Sequence, residues 1–196
     1  IIGNNSTYCT LITSDGLEHY GYQSSIKSCY IGNGFTSIRG LAFRGCRGLK
    51  YITIPRNVTD RIDSYAFSDN YSLISIIIPQ GINTINSNAF YGSSNLSNAI
   101  LPWGLTLINS NAFQNCHNLT RMVIPEGVTA INTNVFSGCY CLSRMVIPEG
   151  VTSIGSSAFL NCYTNARTII PEGVTSIGNS AFGVCQSLTT IFIPES

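Results

Sequence analysis

The chain has 196 residues, of which only 10% are charged, and its formal net charge is +1. That balance provides no basic field for nucleic acid and no polybasic face for anionic lipid, so neither is an expected partner. No apolar run approaches the roughly 18 residues of a membrane-spanning helix, and no secretion signal stands at Ile1. We therefore expect no membrane insertion by these residues.

Residues 1–24 carry only a faint form of the pattern that governs the rest of the chain. Tyr20 stands where later segments have phenylalanine. The first coil of a repeat protein exposes a core face that must be covered. We interpret residues 1–24 as a degenerate N-terminal capping coil.

Two markers recur at a fixed period from residue 25 onward, which defines a repeat protein. The prolines are spaced by 24 residues once and by 23 thereafter, and they are Pro55, Pro79, Pro102, Pro125, Pro148, Pro171 and Pro194. Pairs of a small residue and phenylalanine run in step with them, at 42–43, 66–67, 89–90, 112–113, 135–136, 158–159 and 181–182. Residues 25–196 thus form one elongated domain of about seven repeats. It ends just after a predicted strand, and we expect the C-terminal cap to be missing from these residues.

Each repeat begins with a short predicted strand. In the stretch from Leu142 to Cys162, Met145 and Ile147 are two residues apart and therefore point to one face of the strand. The proline that follows cannot donate to a ladder and ends the pairing.

Two turns are predicted after the strand. Glycine or asparagine follows each proline closely, as at Gly150, and a second set begins with Arg39 and Asp63 and continues with Asn86, Asn109, Asn132, Gly155 and Gly178. Because glycine and asparagine tolerate a positive φ, we expect a tight turn after the proline and a left-handed or otherwise strained backbone at the second place.

The rest of the repeat returns the chain to the next strand. Asp60 and Arg61 stand where other repeats have one residue, which explains the single period of 24 and predicts a bulge. The A-F-x-x-C segment predicts a 3₁₀ or single helical turn, with Ala and Phe pointing inward.

The complete unit, with L-x-x-M-x-I-P, G-V-T-x-I-G, A-F and a following cysteine, closely resembles the BspA-like, or Treponema-type, leucine-rich repeats of bacterial and protist surface proteins. The resemblance covers about residues 25–196. It implies an α/β leucine-rich repeat solenoid, right-handed and built mostly of strand and loop. Parallel strands would line the concave face, with short 3₁₀ or helical turns on the convex side. The glycine after each proline departs from the broader superfamily and implies that the usual asparagine ladder is absent.

The resemblance also implies an adhesin-like role without catalytic machinery, on the cell surface or secreted. The expected partner is a protein or glycan of the host matrix or of another cell surface. No cofactor is expected, and no P-loop or dinucleotide fingerprint occurs.

The strand positions that do not point inward form the candidate ligand-binding face. One row carries arginine in three successive repeats, and the row two residues on is mostly apolar. From these rows we predict as ligand-binding residues Tyr51, Asn98, Arg121, Val123, Arg144, Val146, Arg167, Ile169 and Phe192. Arginine presents a fork of donors that suits carboxylate, sulfate or an acidic protein surface.

A structural interpretation of the same residues remains open. RMVIPEGVT occurs twice word for word, so the arginines can be copies left by duplication, balanced by Glu126, Glu149, Glu172 and Glu195. Exposed valine and isoleucine are ordinary strand formers. The chain would then be a spacer, or a self-assembling repeat element with no specific ligand.

Five of the eight cysteines occupy one repeat position, which indicates buried free thiols: Cys46, Cys116, Cys139, Cys162 and Cys185. A Cys9–Cys29 disulfide is an open alternative in the cap, and Cys141 is the candidate reactive thiol. No C-x-x-C pair occurs, and His19 and His117 lack ligand-spaced partners, so no metal site is expected.

Six N-x-S/T glycosylation sequons occur, at Asn4, Asn5, Asn57, Asn70, Asn95 and Asn118.

Overall fold

The computed structural model describes residues 8–10, 26–163 and 167–193, with only the backbone given for residues 8–10 and for the Arg144 strand position. The expected solenoid of parallel strands is confirmed. The first strands of the coils as far as residue 146 form one long ladder, which lines the concave face. The strands of this concave sheet are β1 (Tyr8–Thr10), β2 (Ser28–Tyr30), β3 (Tyr51–Thr53), β5 (Ser75–Ile77), β7 (Asn98–Ile100), β9 (Arg121–Val123) and β11 (Arg144–Val146).

A second, shorter strand follows the proline turn in each coil. These strands form two three-stranded ladders: β4 (Asp60–Ile62), β6 (Ile82–Ile85) and β8 (Leu107–Ile108), then β10 (Ala130–Ile131), β12 (Ser153–Ile154) and β14 (Ser176–Ile177). The predicted bulge is confirmed, because the β4–β6 register shifts between Asp60 and Arg61, and Asp60 has a φ of 86°.

The concave ladder breaks after β11. The next two first strands, β13 (Arg167–Ile169) and β15 (Thr190–Phe192), pair with each other in a separate sheet. Thr168 takes the place of a buried Ile or Met there and is partly exposed. Asn165, which we expected to weaken this coil, lies outside the described residues.

The core nevertheless runs without interruption through that coil. The phenylalanines of seven coils stack along the axis, with neighbouring ring centroids 5.0 to 5.8 Å apart. Five of them are among the largest fully buried side chains: Phe67, Phe90, Phe113, Phe136 and Phe159. The inward orientation of the Ala-Phe pairs is confirmed.

The convex side consists of consecutive turns instead of the expected short helical turns, since the described residues contain only strands and turns. Two positions per coil have a positive φ and interrupt any helix. One row is Leu41, Tyr65, Asn88, Asn111, Asn134, Ser157 and Ser180, and the other is Gly45, Asp69, Gly92, Asn115, Gly138, Asn161 and Val184.

The left-handed positions therefore lie two and six residues after the second predicted turn, so a left-handed backbone at that turn itself is not found. The tight turn predicted after the proline is confirmed, because the Val151 N–H donates to the Pro148 carbonyl oxygen over 3.1 Å. Positions 150 and 155 require glycine because the backbone of the preceding coil lies too close for a side chain. A Cβ on Gly150 would lie 2.9 Å from the Glu126 carbonyl oxygen, and a Cβ on Gly155 would lie 2.6 Å from the Thr133 nitrogen. Both neighbouring atoms belong to the preceding coil.

Asparagine ladders are present at a different place from the usual one. Asn86 donates to Asp63 Oδ1 over 3.2 Å, and Asn109 donates to Asn86 Oδ1 over 3.1 Å. Asn132 continues the row by donating to the Ile108 carbonyl oxygen. These side chains tie successive coils together after the second strand.

Candidate ligand-binding face

The strands of the concave sheet alternate as expected, with the middle residue inward and the two flanking residues outward. Cys29, Ile52, Ile76, Ala99 and Met122 are the buried middle residues, and the first and third positions face solvent. The flanking positions thus form two rows that cross the strands.

The third position forms an exposed apolar row. Its side chains are 46% to 77% exposed and comprise Tyr30, Ile77, Ile100, Val123, Val146, Ile169 and Phe192. Thr53 interrupts the row with a polar group between Tyr30 and Ile77. Contiguous apolar surface of this kind marks interaction sites more often than scattered apolar residues do.

The first position forms a polar row that carries the arginines. Tyr51, Asn98 and Arg121 are exposed, and Arg144 lies directly opposite Arg121 across the β9–β11 pair. Within the described part of the chain, no carboxylate lies within 4.0 Å of the Arg121 or Arg167 guanidinium. Glu126, Glu149 and Glu172 therefore form no ion pair with these two arginines.

The predicted run of three adjacent arginines is not formed. Arg121 and Arg144 are strand neighbours, but Arg167 belongs to the two-stranded β13–β15 sheet. Its guanidinium carbon lies 4.4 Å from the centroid of the Phe192 ring, so a cation–π contact holds it. The predicted site is split into a six-residue part on the concave sheet and a part made of Arg167, Ile169 and Phe192.

Sequence reasoning missed Trp103, which is 80% exposed. It follows Pro102, at the position that glutamate occupies in the later coils, and so lies at the edge where the chain leaves strand β7. The available signal was that the only tryptophan of the chain replaces a residue of the glutamate row.

The cysteine row is structural, as predicted, and it also makes hydrogen bonds. Cys116, Cys139 and Cys162 are fully buried and donate to the carbonyl oxygens of Phe90, Phe113 and Phe136 over 3.0 to 3.2 Å. Burial raises the pKa of each of these thiols. They are protonated and shielded, so they contribute no nucleophile.

The remaining cysteines are placed differently. Cys141 is exposed and unbridged. The backbone of Cys9 lies opposite Cys29 in the β1–β2 pair, while the Cys9 side chain lies outside the described atoms, so the disulfide stays a prediction. In the described ranges, no group of three or more His, Cys, Asp or Glu side chains could hold a metal ion.

The structure also distinguishes buried from exposed glycosylation sequons. Asn70 is fully buried, so the folded chain cannot carry a glycan there. The Asn57 side chain donates to the Asn33 and Phe35 carbonyl oxygens of the preceding coil. Asn95 and Asn118 are exposed, and Asn4 and Asn5 lie outside the described residues.

A shallow polar depression lies at the bulge of β4, lined in part by Arg39, Thr59 and Arg61. The Arg61 guanidinium already forms ion pairs with Asp60 over 2.8 Å and with Asp63 over 2.7 Å. It is therefore not available to a ligand in this depression. The concave face therefore remains the candidate site. No helix in the described part of the chain is long and apolar enough to cross a membrane.

Three solved bacterial proteins have the same fold. A leucine-rich repeat protein from Bacteroides ovatus ATCC 8483 superposes with a TM-score of 0.73 at 22% identity, over 96% of this chain and 57% of that one. The T. pallidum leucine-rich repeat protein gives 0.70 at 25% identity, over 93% and 78%. A leucine-rich cell surface protein from Faecalibacterium prausnitzii A2-165 gives 0.61 at 25% identity, over 87% and 60%.

The chain spans less than two thirds of the length of the Bacteroides and Faecalibacterium structures. No curated protein matches it in sequence. The model of the BspA-type leucine-rich repeat region matches residues 18–143 and 106–196, with six copies. The chain belongs to the BspA-type leucine-rich repeat family.

Proposed function

We propose that this chain is a non-catalytic, adhesin-like interaction module of the cell surface or the secreted fraction, which binds a protein or glycan through its concave face. The observation that carries the proposal is the exposed apolar row beside Arg121 and Arg167, neither of which has a carboxylate partner among the described residues. The Faecalibacterium structure, described as a cell surface protein, supports the location.

The chemistry of the face favours a ligand with apolar groups flanked by acidic ones. Val123 and Val146 are neighbours across the β9–β11 pair and are 62% and 77% exposed, so a partner covering them would remove apolar surface from water. Arg121 beside them supplies a fork of donors for carboxylate or sulfate. Trp103 adds an exposed aromatic ring at the rim, a residue type enriched in binding hot spots.

The test is binding to arrays of glycans and extracellular-matrix proteins, comparing the natural chain with the double variant Arg121→Ala, Arg144→Ala. We expect the double variant to bind the selected ligand at least tenfold more weakly. The matched control is Arg39→Ala, which removes an exposed arginine from the second turn, away from the concave strands, and should leave binding unchanged. Full binding by the double variant would exclude the arginine row.

The second candidate is a spacer or a self-assembling repeat element. It is favoured by the unbroken phenylalanine stack and by the near-identity of successive coils, neither of which needs a ligand. Light scattering across a concentration series distinguishes the two proposals. Assembly without ligand affinity supports the spacer, and a monomer that binds an array ligand supports the interaction module.

A further inference from the structure

A second column of side chains runs along the edge where the chain enters the concave strands. It consists of the residue four after the core phenylalanine in each coil: Arg47, Tyr71, Ser94, His117, Tyr140, Tyr163 and Gln186. Most members stack on their neighbours. The ring centroids of His117 and Tyr140 are 4.7 Å apart, and those of Tyr140 and Tyr163 are 6.0 Å apart.

The column has a gap at Ser94. Tyr71 carries the Arg47 guanidinium 5.2 Å from its ring centroid, so one face of the tyrosine ring is covered. His117 has one face against Tyr140, at an interplanar angle of 20°. The opposite faces of the Tyr71 and His117 rings therefore both turn toward the coil between them, where Ser94 has a small side chain in place of a ring.

The width of the gap follows from the coil spacing. The phenylalanines of these three coils are separated by 5.4 Å and 5.0 Å, so the two facing rings lie two coil spacings apart. A flat ring in contact on both faces needs roughly 3.5 to 4.0 Å on each side. Two coil spacings exceed the distance that a flat ring needs on its two sides together, so the gap favours a thicker, puckered ring.

The rim of the gap is polar. Ser94 provides a hydroxyl group, and Asn95 is exposed beside it. Asn118 donates to Asn95 Oδ1 over 2.9 Å, which orients the Asn95 amide and leaves its two N–H donors without a partner among the described residues. A ring that enters the gap thus meets apolar faces on two sides and hydrogen-bonding groups at the edge.

From these contacts we propose that Tyr71, Ser94 and His117 form a slot for one pyranose ring of a glycan, outside the concave face. The carbon-bound hydrogens of the sugar contact the two aromatic faces, and its hydroxyl groups bond with Ser94 and Asn95. The slot does not depend on the concave face, so either site can exist without the other.

The test is NMR of the ¹⁵N-labelled chain titrated with the methyl glycosides of glucose, galactose, mannose and N-acetylglucosamine. At least one glycoside should give saturable shifts of the Asn95 side-chain amide and of the Ser94 backbone amide. It should also receive magnetisation transfer from the Tyr71 or His117 ring. Shifts in neither amide with any of the four glycosides would overturn the proposal.

Ser94→Tyr fills the gap and should weaken binding at least tenfold. Gln186→Tyr is the matched control, since it adds a ring to the same column beyond Tyr163 and should leave binding unchanged. If Ser94→Tyr does not fold, Tyr71→Leu and His117→Leu test the proposal instead. Each removes one aromatic wall of the slot and should weaken glycoside binding at least tenfold. Undiminished binding by a folded Ser94→Tyr chain, or by both wall variants, would overturn the slot.

N-acetyl-L-phenylalaninamide is the comparison ligand. If it causes the same shifts at lower concentration than every glycoside, the slot takes an aromatic side chain of a peptide, and the assignment to a sugar is wrong. We expect it to bind more weakly than the best glycoside.

Discussion

The Cys116 thiol donates a hydrogen bond to the carbonyl oxygen of Phe90, 3.2 Å away in the preceding coil. Ser93 makes the same bond to Phe67 with its hydroxyl group over 2.8 Å. The row therefore needs a small donor at the inner end of each convex turn. Asn70 occupies this position in its coil and is fully buried, and neither of its side-chain polar atoms has a hydrogen-bond partner among the described residues.

Asn70→Cys should stabilise the protein, because it removes a buried amide without partners and restores the thiol of the other coils. An unsatisfied buried polar group costs about 1 to 3 kcal/mol, so we expect a gain within that range in the free energy of unfolding. Urea denaturation measures it. Ser93→Cys, which exchanges one donor for another, is the control and should change little; a loss of stability in Asn70→Cys would contradict the assigned role of the row.

Phe136→Ala should destabilise the protein strongly. Phe136 is fully buried and stacks on Phe113 at 5.8 Å and on Phe159 at 5.6 Å. Deleting a buried aromatic ring costs roughly 3 to 5 kcal/mol, and thermal or urea unfolding would show the loss. A change near zero would remove Phe136 from the core.

Gly155→Ala should be destabilising although its backbone φ is ordinary for any residue. The added Cβ would lie 2.6 Å from the Thr133 nitrogen and 2.7 Å from the Asn132 carbonyl carbon, and backbone atoms cannot move aside cheaply. We expect a loss on the order of 1 to 3 kcal/mol from overpacking. Gly34→Ala, where a Cβ meets nothing within 4 Å, is the matched control. Equal stability of the two variants in urea would refute the close approach.

Stability should fall as the pH rises above about 8.5, the ordinary pKa of a cysteine thiol. Burial raises the pKa of Cys116, Cys139 and Cys162 in the folded chain, so their protons are released only after unfolding. The unfolded state then binds fewer protons than the folded state, and the free energy of unfolding decreases with pH. Urea midpoints between pH 8 and 10 test this on the natural chain and on the triple Cys→Ser variant, which should lose most of the slope. An equal slope in both would assign the effect to other groups.

Cys141 should react with a thiol reagent much faster than the buried cysteines. Its side chain is exposed, whereas Cys116 and Cys139 are fully buried and protonated. Mass spectrometry after brief exposure to iodoacetamide under native conditions would locate the label. Labelling of Cys116 as early as Cys141 would mean that the convex side opens readily.

The repeat register was predictable because it is a property of spacing alone. Proline, phenylalanine and cysteine recur in step, and each of them has a role that every coil needs. The left-handed positions were not predictable in this way. Leu41 and Tyr65 have a positive φ although neither favours it, because the ladder of neighbouring coils imposes the conformation.

The candidate site was predictable only in part. Alternation along the strand correctly placed Tyr51, Val123 and Ile169 on the surface. The break between β11 and β13 depends on how whole coils pack, so the separation of Arg167 from Arg144 could not be predicted from sequence spacing. The aromatic column had a sequence signal, since rings recur at one position after the cysteine row.

The most direct test of the concave face compares Val146→Glu with Thr152→Glu for binding of a ligand selected on the arrays. Both residues are exposed, but Val146 lies in the apolar row and Thr152 precedes strand β12 on another surface. If the concave face binds the ligand, Val146→Glu will weaken binding at least tenfold and Thr152→Glu will leave it within twofold of the natural chain. Equal affinity of the two variants would contradict the assignment of ligand binding to the concave face.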